Sequence, residues 1–407
     1  MKRTEIRAVD IINMIPDAQL DFLAASTRVD YKVHKLSGKT MFMLLTYSLL
    51  SEHSVSLRIM EKVFASAQFA ALSPVAASSS TRFTSIRDRI NTINADFFVQ
   101  LFRFCADYFS RQLAGDKTLL GPGTTGSLIR FDSTMVALSA KLIGEQIGGM
   151  RVGRNTDKAQ IRFTIGYNGL VSTEAKVFTQ HSELSEDLTI PELIKSASLS
   201  RQDVATFDRG VSKRTTLTSL SEGGVGFVTR IKTSACYEPA GENLLQEPVQ
   251  AGTLLITEDR QVYLFGEKGT RAPVSLRLIK GESIESGEPI WFLSNLEAGE
   301  FSAAEVSDLY RRRWDIEVFF KFLKRELDLE HLPVRSLNGI EVVLYAKLIA
   351  AMLLSAYKEL NGLEGYKLVK RQFVIELEYE LMREVVIICG GDPEKIPGIN
   401  KRSSFVQ

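Results

Sequence analysis

Four side chains between residues 303 and 329 are spaced for joint chemistry: Tyr310, Arg313, Glu317 and Lys324. Their offsets of three, seven and fourteen residues from the tyrosine fall within roughly 60° of one another at about 100° per residue of helix. One helix face would then carry a phenol, two cations and a carboxylate. An ordinary solvated helix also mixes charges. Here Trp314, Ile316, Phe319, Phe320 and Leu323 form a broad apolar face beside the four, which sets them at the rim of a buried surface. Two aspartates add to the set, Asp132 after Ser-Leu-Ile-Arg-Phe and Asp208 after Val-Ala-Thr-Phe. Each ends a predicted strand, where a carboxylate points out of a sheet edge, although a lone Asp there is also an ordinary turn or helix cap. Three carboxylates from two strands and a helix suit divalent cations that take oxygen ligands, Mg2+ first and Mn2+ as a substitute. Two such ions about 3.5–4 Å apart activate an attacking oxygen and stabilise a leaving one in phosphoryl transfer. Arg313 would then fork onto a phosphodiester and Lys324 act on it as a point charge.

The elements that must position these groups fall into regions of different texture. Residues 10–112 show apolar positions recurring at three and four residues, which predicts helices over 40–50, 54–65 and 83–113, the last broken near Asn91–Asn94, with a Ser/Ala-rich loop over 66–80. After Gly121-Pro122-Gly123 the pattern turns β-rich. Strands are predicted at 126–131, 160–167 and 171–179, the last two joined across Asn168-Gly169, a strong hairpin signal. Helices over 190–197 and 213–221 alternate with strands over 204–207 and 225–231, the order of a mixed sheet covered by helices. Residues 233–300 predict a small antiparallel sheet, with strands at 254–257, 261–265, 274–278 and 290–294 and turns at Glu258-Asp259-Arg260 and Glu267-Lys268-Gly269. A single long helix is predicted over 303–329, ended by Pro333, with further helices over 342–360 and 372–388.

Composition sets bounds on what this architecture serves. The chain has 407 residues, 44% apolar and 24% charged, which excludes collagen-like, low-complexity and wholly disordered classes and calls for several structural units. Stretches such as 41–50 and 344–354 are too short or interrupted to cross a bilayer, and the N-terminus lacks a signal-peptide pattern, so a cytoplasmic protein without a membrane partner is expected. The three cysteines, at 105, 236 and 389, match no zinc or disulfide spacing. The net charge of +1 hides an uneven split: residues 1–130 carry five more cations than anions, and 233–305 carry seven more anions than cations. A polyanion reads the local patch and not the sum.

Phe131-Asp132-Ser133-Thr134, Phe207-Asp208-Arg209-Gly210 and the Tyr310-x2-Arg313-x3-Glu317-x6-Lys324 run together resemble the bacterial insertion-sequence DDE transposases with a Tyr-Arg-Glu-Lys signature. The resemblance is strongest over 126–330. It implies an α/β, RNase H-like mixed sheet with flanking helices, interrupted by a β-rich insertion. By residues, it implies helical, terminal-repeat DNA-binding 1–115, first core part 116–232, insertion 233–300, Glu-bearing helix 301–335, and a helical 336–407 able to pair subunits. Asp132, Asp208 and Glu317 would be the catalytic, metal-holding set. Tyr310, Arg313 and Lys324 would grip phosphates, with Arg209 and with Arg230 at the entry to an acidic insertion as further DNA contacts. Relatives that cut through a DNA hairpin stack a flipped base on a Trp of the insertion, and Trp291 occupies a similar place, although a core Trp in a strand reads equally well. Arg151, Arg154, Lys158 and Arg162 around the first hairpin are candidate DNA-flank contacts or simply solvated. The implied partners are the element's double-stranded terminal repeats, target DNA and a second copy in the synapse. A catalytically silent end-binding inhibitor and a metal-dependent nuclease on the same core remain the alternatives; a two-carboxylate glycosidase fits less well, since Arg313 and Lys324 suit phosphate better than sugar.

Overall fold

The computed structural model describes residues 6–398 except 74, 76–77, 114–119, 121–125, 139–148, 152–156, 198 and 267–268. Side chains of 149–151, 157–159 and 181 also lie outside the description. The Gly121-Pro122-Gly123 boundary, Arg154 and the side chains of Arg151 and Lys158 therefore fall outside the described residues. The chain forms two compact units, one from 1–113 with 321–407 and one from 114–320.

The first unit is helical: α1 (Ala8–Asn13), α2 (Asp17–Thr27), α3 (Gly38–Ser51), α4 (Leu57–Phe64), α5 (Ala67–Leu72), α6 (Phe83–Thr92) and α7 (Ala95–Gln112) precede the sheet. The expected break near Asn91–Asn94 is present: Asn94 caps α7 by accepting from the Asp96 N–H at 3.1 Å. The 66–80 segment, expected as a loop, begins with α5, whose N-cap Ser66 accepts from the Phe69 N–H at 3.2 Å. The second unit holds β1 (Leu128–Leu138), β2 (Gly149–Arg151), β3 (Asp157–Tyr167), β4 (Ser172–Phe178), α8 (Glu186–Ser196), β5 (Val204–Phe207), α9 (Arg214–Glu222) and β6 (Gly226–Ile231). It continues with β7 (Tyr237–Pro239), β8 (Val249–Ala251), β9 (Leu254–Leu264), β10 (Leu276–Ser283), β11 (Pro289–Ser294), α10 (Ala303–Arg311) and the start of α11 (Trp314–Glu326). After α11, α12 (Leu337–Asn361) and α13 (Tyr366–Ile388) return to the helical unit. The two terminal helical stretches, read from sequence as separate regions, thus make one core. The burial of α12 is the physical reason, because it is apolar on every side and lies against α3, α6, α7 and α13.

One mixed sheet of order β2-β3-β1-β5-β6-β11-β10-β9-β7 runs through the second unit, with β4 on β3 and β8 on β9. The β3–β4 hairpin follows the Asn-Gly signal. Asn168 accepts from the Leu170 and Val171 N–H groups at 2.9 and 3.0 Å, and Gly169 takes φ 100°. Two expectations change in the 233–300 region. It is not a separate sheet, because β11 pairs with β6 from Trp291↔Ile231 to Ser294↔Val228 and extends the first sheet. Nor is Glu258-Asp259-Arg260 a turn, since all three lie inside β9. Buried Asp259 accepts from Arg277 Nε at 2.8 Å and Nη2 at 2.6 Å, a bidentate pair that lets a carboxylate sit inside a strand.

Candidate active site

Alternation along β1 sorts its side chains. Ile129 and Phe131 enter the core with Phe207 and Phe227 under α8 and α9, while Leu128 joins Val204 and Val228 on the face covered by α10. Arg130 and Asp132, two and four residues past Leu128, share that second face. The parallel β1–β5 ladder ends at Phe131↔Phe207, so Asp132 and Asp208 are the next residues on adjacent strands, on one face and about one strand spacing apart. Asp132 was expected at a strand's end. It instead lies inside β1, which continues along β3 from Asp132↔Ile165 to Leu138↔Ala159. The end that matters is that of the parallel ladder.

Above this pair, the expected single helix is broken between α10 and α11. The Arg313 N–H donates to the Tyr310 carbonyl at 2.9 Å and the Ile316 N–H to Arg313 at 3.2 Å, the tightened i−3 pattern of a helix end. Arg130 braces this break. It is fully buried, and its guanidinium donates from Nε to the Arg312 carbonyl at 2.9 Å, from Nη1 to the Leu128 carbonyl at 3.0 Å and from Nη2 to Asp315 Oδ2 at 3.0 Å. The Arg312 carbonyl, which accepts the i+3 bond from the Asp315 N–H at 3.2 Å, thereby gains a charged donor as well. Across the break the Tyr310 hydroxyl donates to Asp208 Oδ1 at 3.3 Å, and Arg313 ion-pairs Glu317 while lying 5.5 Å from the Tyr310 ring centroid. Tyr310 therefore touches the second aspartate, while Arg313 acts on both aspartates and pairs with Glu317, which acts on Asp132. Lys324 lies beyond this unit, further along α11, where its ammonium pairs with Glu330 at 3.2 Å.

Burial pushes the Asp132 carboxyl up to about 6; the Ser133 N–H at 2.7 Å and Arg313 pull it down, and Glu186 and Glu317 push it further up. Burial likewise raises Tyr310 to about 12, with Asp208 adding to the rise and Arg313 and Arg230 opposing it. At Arg313, burial is outweighed by Tyr310 and Glu317 and the charged form is favoured. Glu186 and Glu317 are each ion-paired, to Arg162 and Arg313, while Asp132 between them accepts, among the described residues, only from the Ser133 backbone. Among the described residues no three acidic, His or Cys side chains already converge as a metal cage. The donors around Asp132 are oxygens only, and the like-charge crowding there fits a hard divalent cation. The Arg230 and Arg313 Nε atoms are buried with no acceptor.

Two functional neighbours escape sequence reasoning. Glu186, the first residue of α8, accepts from Arg162 Nη1 at 2.7 Å, and the same Arg162 nitrogen donates to Ser133 Oγ at 2.6 Å. A side chain on Gly210 would strike Glu186 Oε2, so this carboxylate fills the space behind the Asp208 turn. Its neighbour Asp187 accepts from the Ser212 and Lys213 N–H groups at 2.6 and 3.0 Å. An acidic pair in a first helical turn reads in sequence only as a complement to the helix dipole.

Trp291 lies on the opposite face of the sheet from Asp132 and Asp208. It is half-buried, edge-on to Tyr237 at 6.2 Å, with the Lys280 ammonium 4.7 Å over its ring. Trp314, expected in an apolar face, is 62% exposed beside Arg313. Two grooves flank the site. One, of about 1120 Å³, is lined by Tyr310, Arg230, Phe292, Ile290 and Leu254. The other, of about 660 Å³, is lined by exposed Arg209 with Lys213, Arg214, Arg230 and Lys232.

A family profile described as "Transposase DDE domain" matches residues 149–353. A segment of 78 residues is 36% identical to the putative transposase InsL of insertion sequence element IS186A from Escherichia coli K12, covering 19% of this chain and 21% of that protein. A putative transposase for element IS4SA from Synechocystis is 23% identical over 230 residues, 55% of this chain and 58% of that one. The chain thus matches about a fifth of the length of the E. coli relative. A solved piggyBac transposase synaptic complex with hairpin DNA aligns over 99% of this chain and 89% of its own, with 12% identity and a TM-score of 0.44.

Proposed function

The chain belongs to the family of transposases with a DDE domain, and from that premise we propose that it binds the terminal repeats of its own insertion sequence, cleaves them and joins the 3′ ends to target DNA. The observation that carries this reading is the buried Arg313 Nε without an acceptor, on a guanidinium that acts on Asp132, Asp208 and Glu317, with a second such nitrogen on Arg230 near Tyr310. Buried donors without acceptors call for an anion, and a phosphodiester supplies one next to the carboxylates. The strand order β4-β3-β1-β5-β6, antiparallel then parallel about a central β1, supports an RNase H-like core.

Asp132, Asp208 and Glu317 would hold two divalent ions, Mg2+ or Mn2+, which supply charge neutralisation and an activated attacking oxygen. When a phosphate enters, Arg313 exchanges Glu317 for the phosphate oxygens and frees that carboxylate. Tyr310 holds Asp208 in place through its hydroxyl, and Arg130 fixes the helix break so that Arg313 and Glu317 face the aspartates. Arg209, Arg230 and Lys324 add phosphate contacts. Two copies hold the two ends. A cut-and-paste route through hairpin ends needs an extruded base to be held. Exposed Trp314, next to Arg313, supports that role better than Trp291, whose ring already has the Lys280 ammonium over it and Tyr237 against its edge.

The test is cleavage of labelled element-end DNA by the full chain and by Glu317→Gln, with Mg2+ or EDTA, on denaturing and native gels. Metal-dependent cutting and joining that Glu317→Gln loses while still retarding the DNA is the expected result. Cutting without joining indicates a nuclease, and retardation without cutting in the wild type indicates an end-binding inhibitor.

A further inference from the structure

The two aspartates are held alike. Asp132 Oδ1 accepts from the Ser133 N–H and Asp208 Oδ1 from the Arg209 N–H, each at 2.7 Å. Each carboxylate is thus tied to the residue that follows it, and both tethers lead to the first turn of α8.

On the first strand, Ser133 lies two residues past Phe131, on the face of β1 that α8 covers and opposite the face of Asp132. Its hydroxyl accepts from Arg162 Nη1 at 2.6 Å, and that nitrogen also donates to Glu186 Oε1 at 2.7 Å. Arg162 comes from β3, where it stands across from Met135. With its side chain 15% exposed, it is engaged by Glu186 and turned away from any DNA flank. On the second strand, the Asp208 carbonyl accepts from the Val211 N–H at 3.2 Å and closes a turn over Gly210. The three nearest atoms that a Cβ on Gly210 would meet all belong to Glu186. Asp187 then accepts from the Ser212 and Lys213 N–H groups at 2.6 and 3.0 Å, and Lys213, the N-cap of α9, makes no side-chain cap of its own. Complementing the helix dipole asks only for negative charge in this turn. It does not ask one carboxylate to span an arginine of β3 and a glycine after β5.

We propose that Glu186 and Asp187 are positioning residues that set the separation of Asp132 and Asp208, and so the fit of divalent ions to the pair. The inference rests on the metal-holding role given to the aspartates above. Glu186 acts from the far face of the sheet, through Arg162 and Gly210.

The test reads Mn2+ bound to the full chain without DNA, by electron paramagnetic resonance, with Asp132→Asn as the baseline. Glu186→Ala should raise the Mn2+ midpoint by about tenfold or more and slow metal-dependent end cleavage in step, with far-ultraviolet circular dichroism and retardation of end DNA unchanged. Asp187→Ala, which frees the Ser212 and Lys213 N–H groups, should shift the midpoint in the same direction. Glu186→Asp keeps the charge at the helix start but withdraws it from Arg162, so it should lose most of what Glu186→Ala loses. Gly210 takes no positive φ, so Gly210→Ala displaces Glu186 without straining the backbone and should raise the midpoint as well. In a Glu186→Ala background, Gly210→Ala should add nothing. A wild-type midpoint in Glu186→Ala or Glu186→Asp, or a Gly210→Ala effect that persists without Glu186, overturns the proposal. A chain that holds Mn2+ in the expected pattern yet cuts no end overturns the cleavage reading alone. One that holds no Mn2+ above the baseline overturns the positioning role together with the metal reading.

Discussion

The two units differ in how completely their buried charge is satisfied. In the helical unit Lys347 is 2% exposed and donates to the Asp328 and His331 carbonyls at 2.5 and 2.8 Å, while Lys370 donates to Glu52 and Glu326 carbonyls at 3.1 and 2.5 Å. Each ammonium sits where helix C-termini leave carbonyls without partners. The sheet unit satisfies Arg130 and the Arg277–Asp259 pair in the same way, but around Asp132 it leaves Arg162, Arg230 and Arg313 with a buried Nε without an acceptor, and Asp132 itself beside Glu186 and Glu317. Satisfied charge makes a scaffold; unsatisfied charge stores the cost that a ligand later relieves.

The largest effect that could break this contrast is at Asp132. Asp132→Asn should reduce end cleavage by about 10³-fold or more while raising unfolding stability by about 1–2 kcal/mol, read by gel assay and denaturant midpoint. Loss of both activity and stability would place Asp132 with the scaffold. Next, Lys347→Ala should cost about 2–4 kcal/mol in the midpoint and leave the activity per folded molecule unchanged. The pH dependence then sharpens the contrast. Asp132 has a folded pKa raised from 3.8 to about 6, so its contribution is most favourable below the unfolded value and is lost as pH rises through about 6. Lys347 is lowered from 10.5 to about 8, so the unfolded chain binds more protons between those values and stability rises with pH there. Midpoints of the wild type against each variant across pH should show slopes of opposite sign in the two windows. The smallest effect is at Arg230: Arg230→Ala should flatten the slope of log affinity against log salt for duplex DNA by about 0.9.

Much of this was legible because periodicity and spacing are local. Tyr310, Arg313 and Glu317 could be grouped from their intervals, and together they reach the two aspartates even though the helix is broken between them. That break was not legible. Arg130 braces it from almost two hundred positions away in the chain, and a cation inside an apolar strand announces no partner. Glu186 and Asp187 were hidden for the same reason, since their role rests on a loop from another part of the chain. The Glu258-Asp259-Arg260 triplet misled because Arg277 neutralises Asp259 across the sheet. The union of 1–113 with 321–407 is invisible to any window shorter than the intervening unit.

The continuity of the sheet from β6 into β11 has a consequence for where the sheet's open margin lies. Without that pairing β6 would present a bare row of amides next to the second aspartate, open to strand addition by another molecule. The inserted strands move the margin away from the carboxylates and end it at β7, three residues long and closed by Pro239. A proline donates no hydrogen bond, so the sheet stops there. Insertions in the 233–300 stretch can then lengthen or shorten without opening an adhesive border beside the reacting groups.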